Sequence, residues 1–399
     1  MLTRGCGCGC VSALAGVLAL VGLLGWLAAR EADIDFDTEA ARAIYHTRVS
    51  SLVPGPGLPE DLEVYASNNV IDLVQFEDRT YLAFRTAPTH YAYEHARLVL
   101  LSSPDRRTWS REHEFMLDTD LREPRFLVFK GRLFLYFLKC GRNPLAFEPQ
   151  GSFVTERQAD GSWTAPEPVY KPGYVVWRAR THDGLAYMSV YNGVGMYSIT
   201  DPPGEVRLLT SGDGRNWKAI SDAPQVNASG AEEGDFEFDA DGNLVAMARL
   251  EMLGSMVCTA PKEDLGCWTC QSTPHKFDGP YLFRRGKDFY VIARRGVDGA
   301  FNRGADFLPA TLECLYYLLR YSQTRKRTTL YKLDPGAREM HPLLDFPSCG
   351  DTAYAAMIPL DAHSYYTVYY STPYDGPDWP WTLGQVIGCH IYQTTLTFP

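Results

Sequence analysis

The chain has 399 residues, 45% of them apolar and 13% aromatic, enough to bury one large core or two smaller ones. Lys and Arg number 38 against 48 Asp and Glu, a net charge of −10, and the only basic tract is the short Arg325–Arg327. That balance excludes general affinity for nucleic acid. Frequent Tyr, Phe, Gly and Pro favour short strands and tight turns over long helices.

Residues 1–10 form a short tail carrying Cys6, Cys8 and Cys10, where acyl chains could attach. Residues 11–29 are an uncharged apolar run, long enough to cross a bilayer. Arg4 precedes the run, while Glu31, Asp33, Asp35 and Asp37 follow Arg30, which puts the N-terminus in the cytosol and the rest outside. The expectation is a membrane-anchored, extracytoplasmic protein, with a cleaved signal peptide and a secreted product as the competing reading. Residues 30–60 read as a stalk and linker ending at Pro54-Gly55-Pro56-Gly57, and residues 61–399 as the folded domain.

Seven cysteines lie beyond the apolar run, so at least one is unpaired or joins another chain. Cys267-Trp-Thr-Cys270 has redox or metal spacing, yet no second pair accompanies it. A local disulfide from Cys258 to Cys267 or Cys270 is the favoured reading in an oxidising compartment. No metal or cofactor is expected.

The domain repeats. Six strand-like segments, starting at Thr80, Phe134, Ala186, Leu244, Phe289 and Tyr365, are separated by 54, 52, 58, 45 and 76 residues. Each follows a turn and an earlier strand-like run. A second repeat keeps the same phase: Ser103-Pro-Asp-Arg-Arg-Thr-Trp109 and Ser211-Gly-Asp-Gly-Arg-Asn-Trp217 are near copies, and Trp109, Trp163, Trp217 and Trp268 are 54, 54 and 51 residues apart. Units of about 50 residues with about four strands each indicate an all-β, six-bladed β-propeller. The last blade reads as one strand short, with Leu62–Ala66 the candidate to complete it. The long gap from Gly299 to Pro347 reads as an insertion with a helix near Ala310–Tyr321.

Strand parity puts the Ser/Asp/Trp turns on the back of the propeller. Arg85, Lys139, Tyr191, Arg249, Arg294 and Tyr370 then fall on the front, with Asn69, Glu123, Arg125, Glu233, Asp235, Asp278, Asp351 and Tyr354 from the first strands. The hairpin from Glu233 to Glu251, turning at Asp241-Gly242, brings Glu233 and Asp235 beside Arg249. Guanidinium groups facing carboxylates suit the binding of carboxylates or vicinal oxygens. A carboxylate beside a tyrosine can make it a nucleophile, and a second carboxyl can protonate a leaving oxygen.

The S-x-D-…-W turns on six blades resemble the Asp-box (BNR) repeats of the sialidase superfamily, over roughly residues 60–399. Glu233 with Arg249-Leu-Glu251 resembles the family's Glu strand and second arginine. Gly279-Pro280 with Arg294 resembles the blade of the third arginine, and Gly350-Asp-Thr-Ala-Tyr354 the segment of the nucleophilic tyrosine. The resemblance implies a glycoside hydrolase in which Glu233 polarises Tyr354 while Arg249 and Arg294 hold an anionic or polyhydroxylated sugar. It departs at the family's Arg-Ile-Pro, where this chain has Asn68-Asn69-Val70-Ile71; Arg85, Arg122 or Arg125 are the possible substitutes. Asp120, Glu123 and His90 are the candidates for the acid/base. A non-catalytic propeller binding a glycan or protein through the same funnel is the alternative, and a five-bladed glycosidase a weaker one.

Overall fold

The computed structural model describes residues 34–198, 204–251, 254–298 and 307–399, with two isolated positions, Gly16 and Ala19. The 11–29 run otherwise lies outside the described residues, among which no helix is long and apolar enough to cross a membrane.

Six antiparallel sheets make up the fold; in the first five the strands pair in consecutive order, and the sixth takes its outer strands from the N-terminal residues. The first strands are Ser67–Phe76, Leu121–Phe129, Tyr174–His182, Ala231–Phe238, Asp278–Arg285 and Cys349–Pro359. They line the axis and bond across blades. Asp72 accepts from the Phe126 amide at 2.7 Å, and Asp235 from the Leu282 amide at 3.0 Å. Six apolar clusters of buried side chains fill the gaps, one for each neighbouring pair of blades, so the ring closes without a seam.

The hairpins between first and second strands bear out the turn signals. Lys130-Gly131 and Asp183-Gly184 both have positive φ, at 51° and 71° and at 46° and 76°. Such paired left-handed residues match the twist of two-residue hairpins. On the same face, Asp105 Oδ1 accepts the Arg107 and Thr108 amides and Asp213 Oδ1 those of Arg215 and Asn216, each at 2.8 Å. Trp109 is 3% exposed behind its turn. These turns are staples on the face away from the site described below.

The last blade is closed differently from expectation. Tyr45–His46 and Ser50–Val53 pair with His390–Thr397, so residues read as stalk belong to the sheet, and Leu62–Ala66 forms no strand. The reason is distance. Ala66 directly precedes the innermost strand of blade one, whereas the place of a fourth strand lies about 14 Å from the axis-lining strand at ~4.8 Å per strand. Residues 54–66 make that crossing instead.

Two helices stand on the front. Ala310–Gln323 (α1) lies in the expected insertion. Trp381–Ile387 (α2) stands just before the last strand, His390–Thr397. Thr382 Oγ1 donates to the Ser322 carbonyl and the Trp381 ring sits 4.7 Å from that of Tyr321, tying the helices together. Cys258 and Cys270 face each other across adjacent strands and form a disulfide, which decides between the two expected pairings; Cys267 is free and exposed.

Candidate functional site

Five of the six innermost strands carry the same local irregularity. Pairing slips between Asn69 and Asp72, Arg122 and Arg125, Glu232 and Asp235, Asp278 and Tyr281, and Ala353 and Ala356. Blade three slips between Val176 and Arg178. Inside the five wider bulges one residue is left-handed: Val70 at φ 41°, Glu123 at 51°, Glu233 at 47°, Gly279 at 58° and Tyr354 at 51°. A left-handed conformation costs a residue with a Cβ about 1–2 kcal/mol, and bulges re-aim side chains out of the alternating pattern. Blades two, four and six thereby direct Glu123, Glu233 and Tyr354 to one place.

That place is a cavity of about 490 Å³ on the front, lined at its base by Glu123, Glu233 and Tyr354. The Tyr354 hydroxyl donates to Glu123 Oε1 at 3.2 Å. Arg125 sits beneath both, donating to Glu123 Oε2 at 3.2 Å with its guanidinium 5.3 Å from the Tyr354 ring and 4.6 Å from that of Trp177. Glu233 is engaged elsewhere, accepting from Arg249 at 2.9 Å and from the Gly279 amide at 2.7 Å. The phenol's carboxylate partner is therefore Glu123 and not the expected Glu233. Burial, with Glu123 and Glu233 adding to it, holds the Tyr354 phenol well above its ordinary range. Burial also raises Glu123, against the pull of Arg125, and so makes it a stronger proton acceptor.

One wall is built around Arg249, which is 4% exposed. Its guanidinium meets Glu232 at 3.3 Å, Glu233 at 2.9 Å, Asp278 at 2.8 Å, and Glu251. Lys276 adds a cation at 3.0 Å from Glu251. Burial, reinforced by Glu251 and Glu233, pushes Glu232 well above the usual carboxylate range despite Arg249. Asp278 is equally buried, yet Arg249, Lys276 and Arg294 outweigh the desolvation and hold it at about 2. Arg294 lies 3.8 Å from both Asp278 and Asp351 and donates to the Thr352 carbonyl at 3.3 Å.

The opposite wall carries His90 and Arg122. His90 Nδ1 is 2.6 Å from Asp351 Oδ2, and the Asn69 amide nitrogen is 3.0 Å from the same ring nitrogen. Burial lowers the His90 pKa, although Asp351 opposes the shift. Trp381 Nε1 holds the other Asp351 oxygen at 3.1 Å. Arg122 donates to Asp120 and, at 2.6 Å, to the His90 carbonyl, fixing the loop that presents the imidazole.

The cavity thus gathers Glu123, Glu233, Tyr354, Arg122, Arg249, Arg294, His90, Tyr191 and Tyr370 from the expected set. The others are behind it. Arg85 is fully buried, bonded to Asp120 at 2.8 Å and to the carbonyls of Thr89 and Tyr91, so it shapes the His90 loop. Asp120 has both oxygens held by Arg85 and Arg122 and no exposure, which removes it as an acid/base. Asp235 accepts from Arg178, Arg180 and the Leu282 amide on the axis below. Arg125, Asp278 and Asp351 support lining residues from beneath, and Lys139 lies over the Phe153 ring and away from the cavity. Sequence reasoning missed Glu232, Tyr321, Trp381, Tyr197 and Gln385 as lining residues. Glu232 was legible as the neighbour of Glu233 only with knowledge of the bulge, which turns two successive side chains to one side. Tyr321 and Trp381 come from helices whose docking no pattern disclosed. Among the described residues no group of His, Cys, Asp and Glu is arranged to hold a metal ion.

No family model matches the chain, and no curated protein resembles it in sequence. Solved structures do share the fold. A protein of unknown function from Dyadobacter fermentans superposes with a TM-score of 0.58 at 16% identity, covering 88% of this chain and 99% of its own. Trypanosoma rangeli sialidase in complex with the inhibitor DANA gives 0.58 at 13% identity, over 88% of this chain and 60% of the sialidase. The endosialidase of phage phi92 gives 0.55 at 11%, over 88% and 69%. This chain accordingly spans about 60% of the trypanosomal sialidase chain. At such identities the likeness is one of architecture: the chain adopts the six-bladed propeller found in sialidases.

Proposed function

We propose that the protein is a glycoside hydrolase, with Tyr354 as nucleophile, Glu123 as the base that takes its proton, and His90 as the acid. The observation that carries this reading is the 3.2 Å hydrogen bond from Tyr354 to Glu123 at the base of the cavity, both residues held in left-handed bulges. Backbone strain retained at two facing residues marks a place where geometry outweighs stability. Attack by the phenolate on an anomeric carbon would form a glycosyl–tyrosine bond as the phenol proton passes to Glu123. His90, with Nδ1–H held by Asp351, would protonate the leaving oxygen from Nε2 and later deprotonate the incoming water. Trypanosoma rangeli sialidase, which shares the fold, has been captured with 2,3-difluorosialic acid as a covalent intermediate. The 11–29 run motivates placing this activity outside the cytosol, on a membrane-anchored or secreted protein.

A second reading is a non-catalytic propeller that holds a glycan or a protein partner in the same cavity. It is favoured by one observation: Glu233 and Arg249, catalytic and binding groups by the resemblance, are locked to each other and to further carboxylates. Aryl glycosides separate the two. The first reading expects turnover by the wild type that Tyr354→Phe abolishes while the variant melts as the wild type does. Turnover that persists in Tyr354→Phe sinks it, and saturable sugar binding without turnover favours the second.

A further inference from the structure

The charges around the cavity bear on which sugar it takes, given the glycan reading above. Three arginines line it, and each is already met by acids or carbonyls. Arg249 is surrounded by Glu232, Glu233, Glu251 and Asp278. Arg122 is engaged by Asp120 and the His90 carbonyl. Arg294 stands between Asp278 and Asp351. Four glutamates line the same space, at positions 123, 232, 233 and 251. An incoming carboxylate would enter a cavity where four lining carboxyl groups face three guanidinium groups and where further aspartates stand directly behind.

Two aromatic rings add to this. The Tyr321 ring lies 5.7 Å from the Arg249 guanidinium carbon and 5.5 Å from that of Arg294, and Trp381 lies 5.3 Å from Arg294. Lys276 and Lys326 approach the same Tyr321 ring at 3.9 and 4.1 Å. Both arginines therefore present a face to π-electrons from α1 and α2. Bidentate capture of a carboxylate needs two parallel N–H groups aimed at the ligand, and the Arg249 fork is occupied by Glu233 and Glu251. A sugar hydroxyl has different requirements. It donates to a carboxylate and accepts from a hydroxyl or an indole N–H, and its C–H faces pack on aromatic rings.

We propose that the cavity selects an uncharged sugar residue over one bearing a carboxylate, the selection resting on the acid-saturated Arg249 and on Tyr321 covering Arg249 and Arg294.

The test measures binding apart from turnover. The full chain with Tyr354→Phe is titrated by calorimetry with methyl glycosides of galactose, glucose and N-acetylglucosamine, and with the methyl glycosides of sialic acid and glucuronic acid. At least one neutral glycoside is expected to bind ten-fold or more tightly than either acid. Equal or tighter binding of an acid overturns the proposal, and so does an absence of saturable binding by every neutral sugar. Tyr321→Ala, confirmed folded by its melting curve, is expected to narrow the neutral-to-acid ratio several-fold. A ratio unchanged in that variant overturns the role given to Tyr321. Wild-type hydrolysis of sialosides alone would remove this selectivity and leave Tyr354 as nucleophile. Neutral-sugar binding without any hydrolysis would do the reverse.

Discussion

Blades two, four and six can be set against blades one and five, for all five share one backbone device and differ in what it carries. In each, the innermost strand bulges around a left-handed residue. Blades two, four and six put Glu123, Glu233 and Tyr354 there, while blades one and five put Val70 and Gly279. The glycine is the natural occupant of such a conformation. Gly279 also has a steric reason, since a Cβ on it would stand 2.9 Å from that of Ala353 and 3.3 Å from the Tyr354 ring. The comparison separates two roles: the bulge is a property of the repeat, and the reactive side chains are additions to alternate copies. An acid or a phenol in a strained position that glycine or valine can fill is retained for something other than stability.

The comparison can be broken most sharply at its acids. Glu123→Gln is expected to lower any hydrolysis by roughly 10²–10⁴-fold, measured as kcat/KM on the best aryl glycoside, and Glu233→Gln by clearly less. The reverse order would return the base to Glu233 and with it the assignment made from sequence. Arg249→Ala should follow, because it leaves Glu232, Glu233, Glu251 and Asp278 buried without their shared cation. A loss of about 3–5 kcal/mol is expected, read as the shift of a urea unfolding curve. Gly279→Ala tests the bulge itself. Strain at φ 58° should destabilise by about 1–2 kcal/mol, and the contact with the Tyr354 ring should lower kcat more than it alters KM. A variant indistinguishable from wild type would mean that the ring is free to move aside.

The smallest effect is in pH. Glu123 must be ionised to accept a proton, and its pKa is raised above the ordinary 4.5. His90 must be protonated to donate one, and its pKa is lowered below the ordinary 6.5. Both shifts narrow the working range from opposite sides, so kcat/KM should be bell-shaped with a mildly acidic maximum. Removing the carboxylate in Asp351→Asn takes away the group that supports the imidazolium, which should move the alkaline limb to lower pH. An alkaline limb that stays in place would dissociate His90 from the acid role.

The architecture was legible because propeller blades are copies. The six strand-like segments and the phased tryptophans reported six sheets, and the Asp-Gly and Lys-Gly pairs marked hairpins by a local rule that needs no tertiary information. The site was legible only in part. Arg249, Arg294, Glu233 and Tyr354 follow from strand parity, which says which end of a strand faces the front. Parity assumes strict alternation, and the bulges break it. Glu123 therefore emerges as the partner of Tyr354, and Asp235, two residues beyond Glu233, turns to the axis beneath. Arg85 and Asp120 sit at the front edge as parity requires, but they satisfy one another and the loop carbonyls, a choice made by packing that spacing cannot convey. Of the two helices, α1 was legible as a helix within an insertion and α2 was not legible at all, and nothing in Tyr321 or Trp381 announces which surface they will cover.

The fastening of blade six has a practical side. Tyr45–His46 and Ser50–Val53 shield the flank of His390–Thr397, so a shortened polypeptide that starts at Asp61 would leave that final strand with bare amides and carbonyls. Uncovered strand flanks recruit other chains. Material prepared that way would be prone to clumping for a reason unrelated to the cavity, whereas a start near residue 34 keeps the clasp whole.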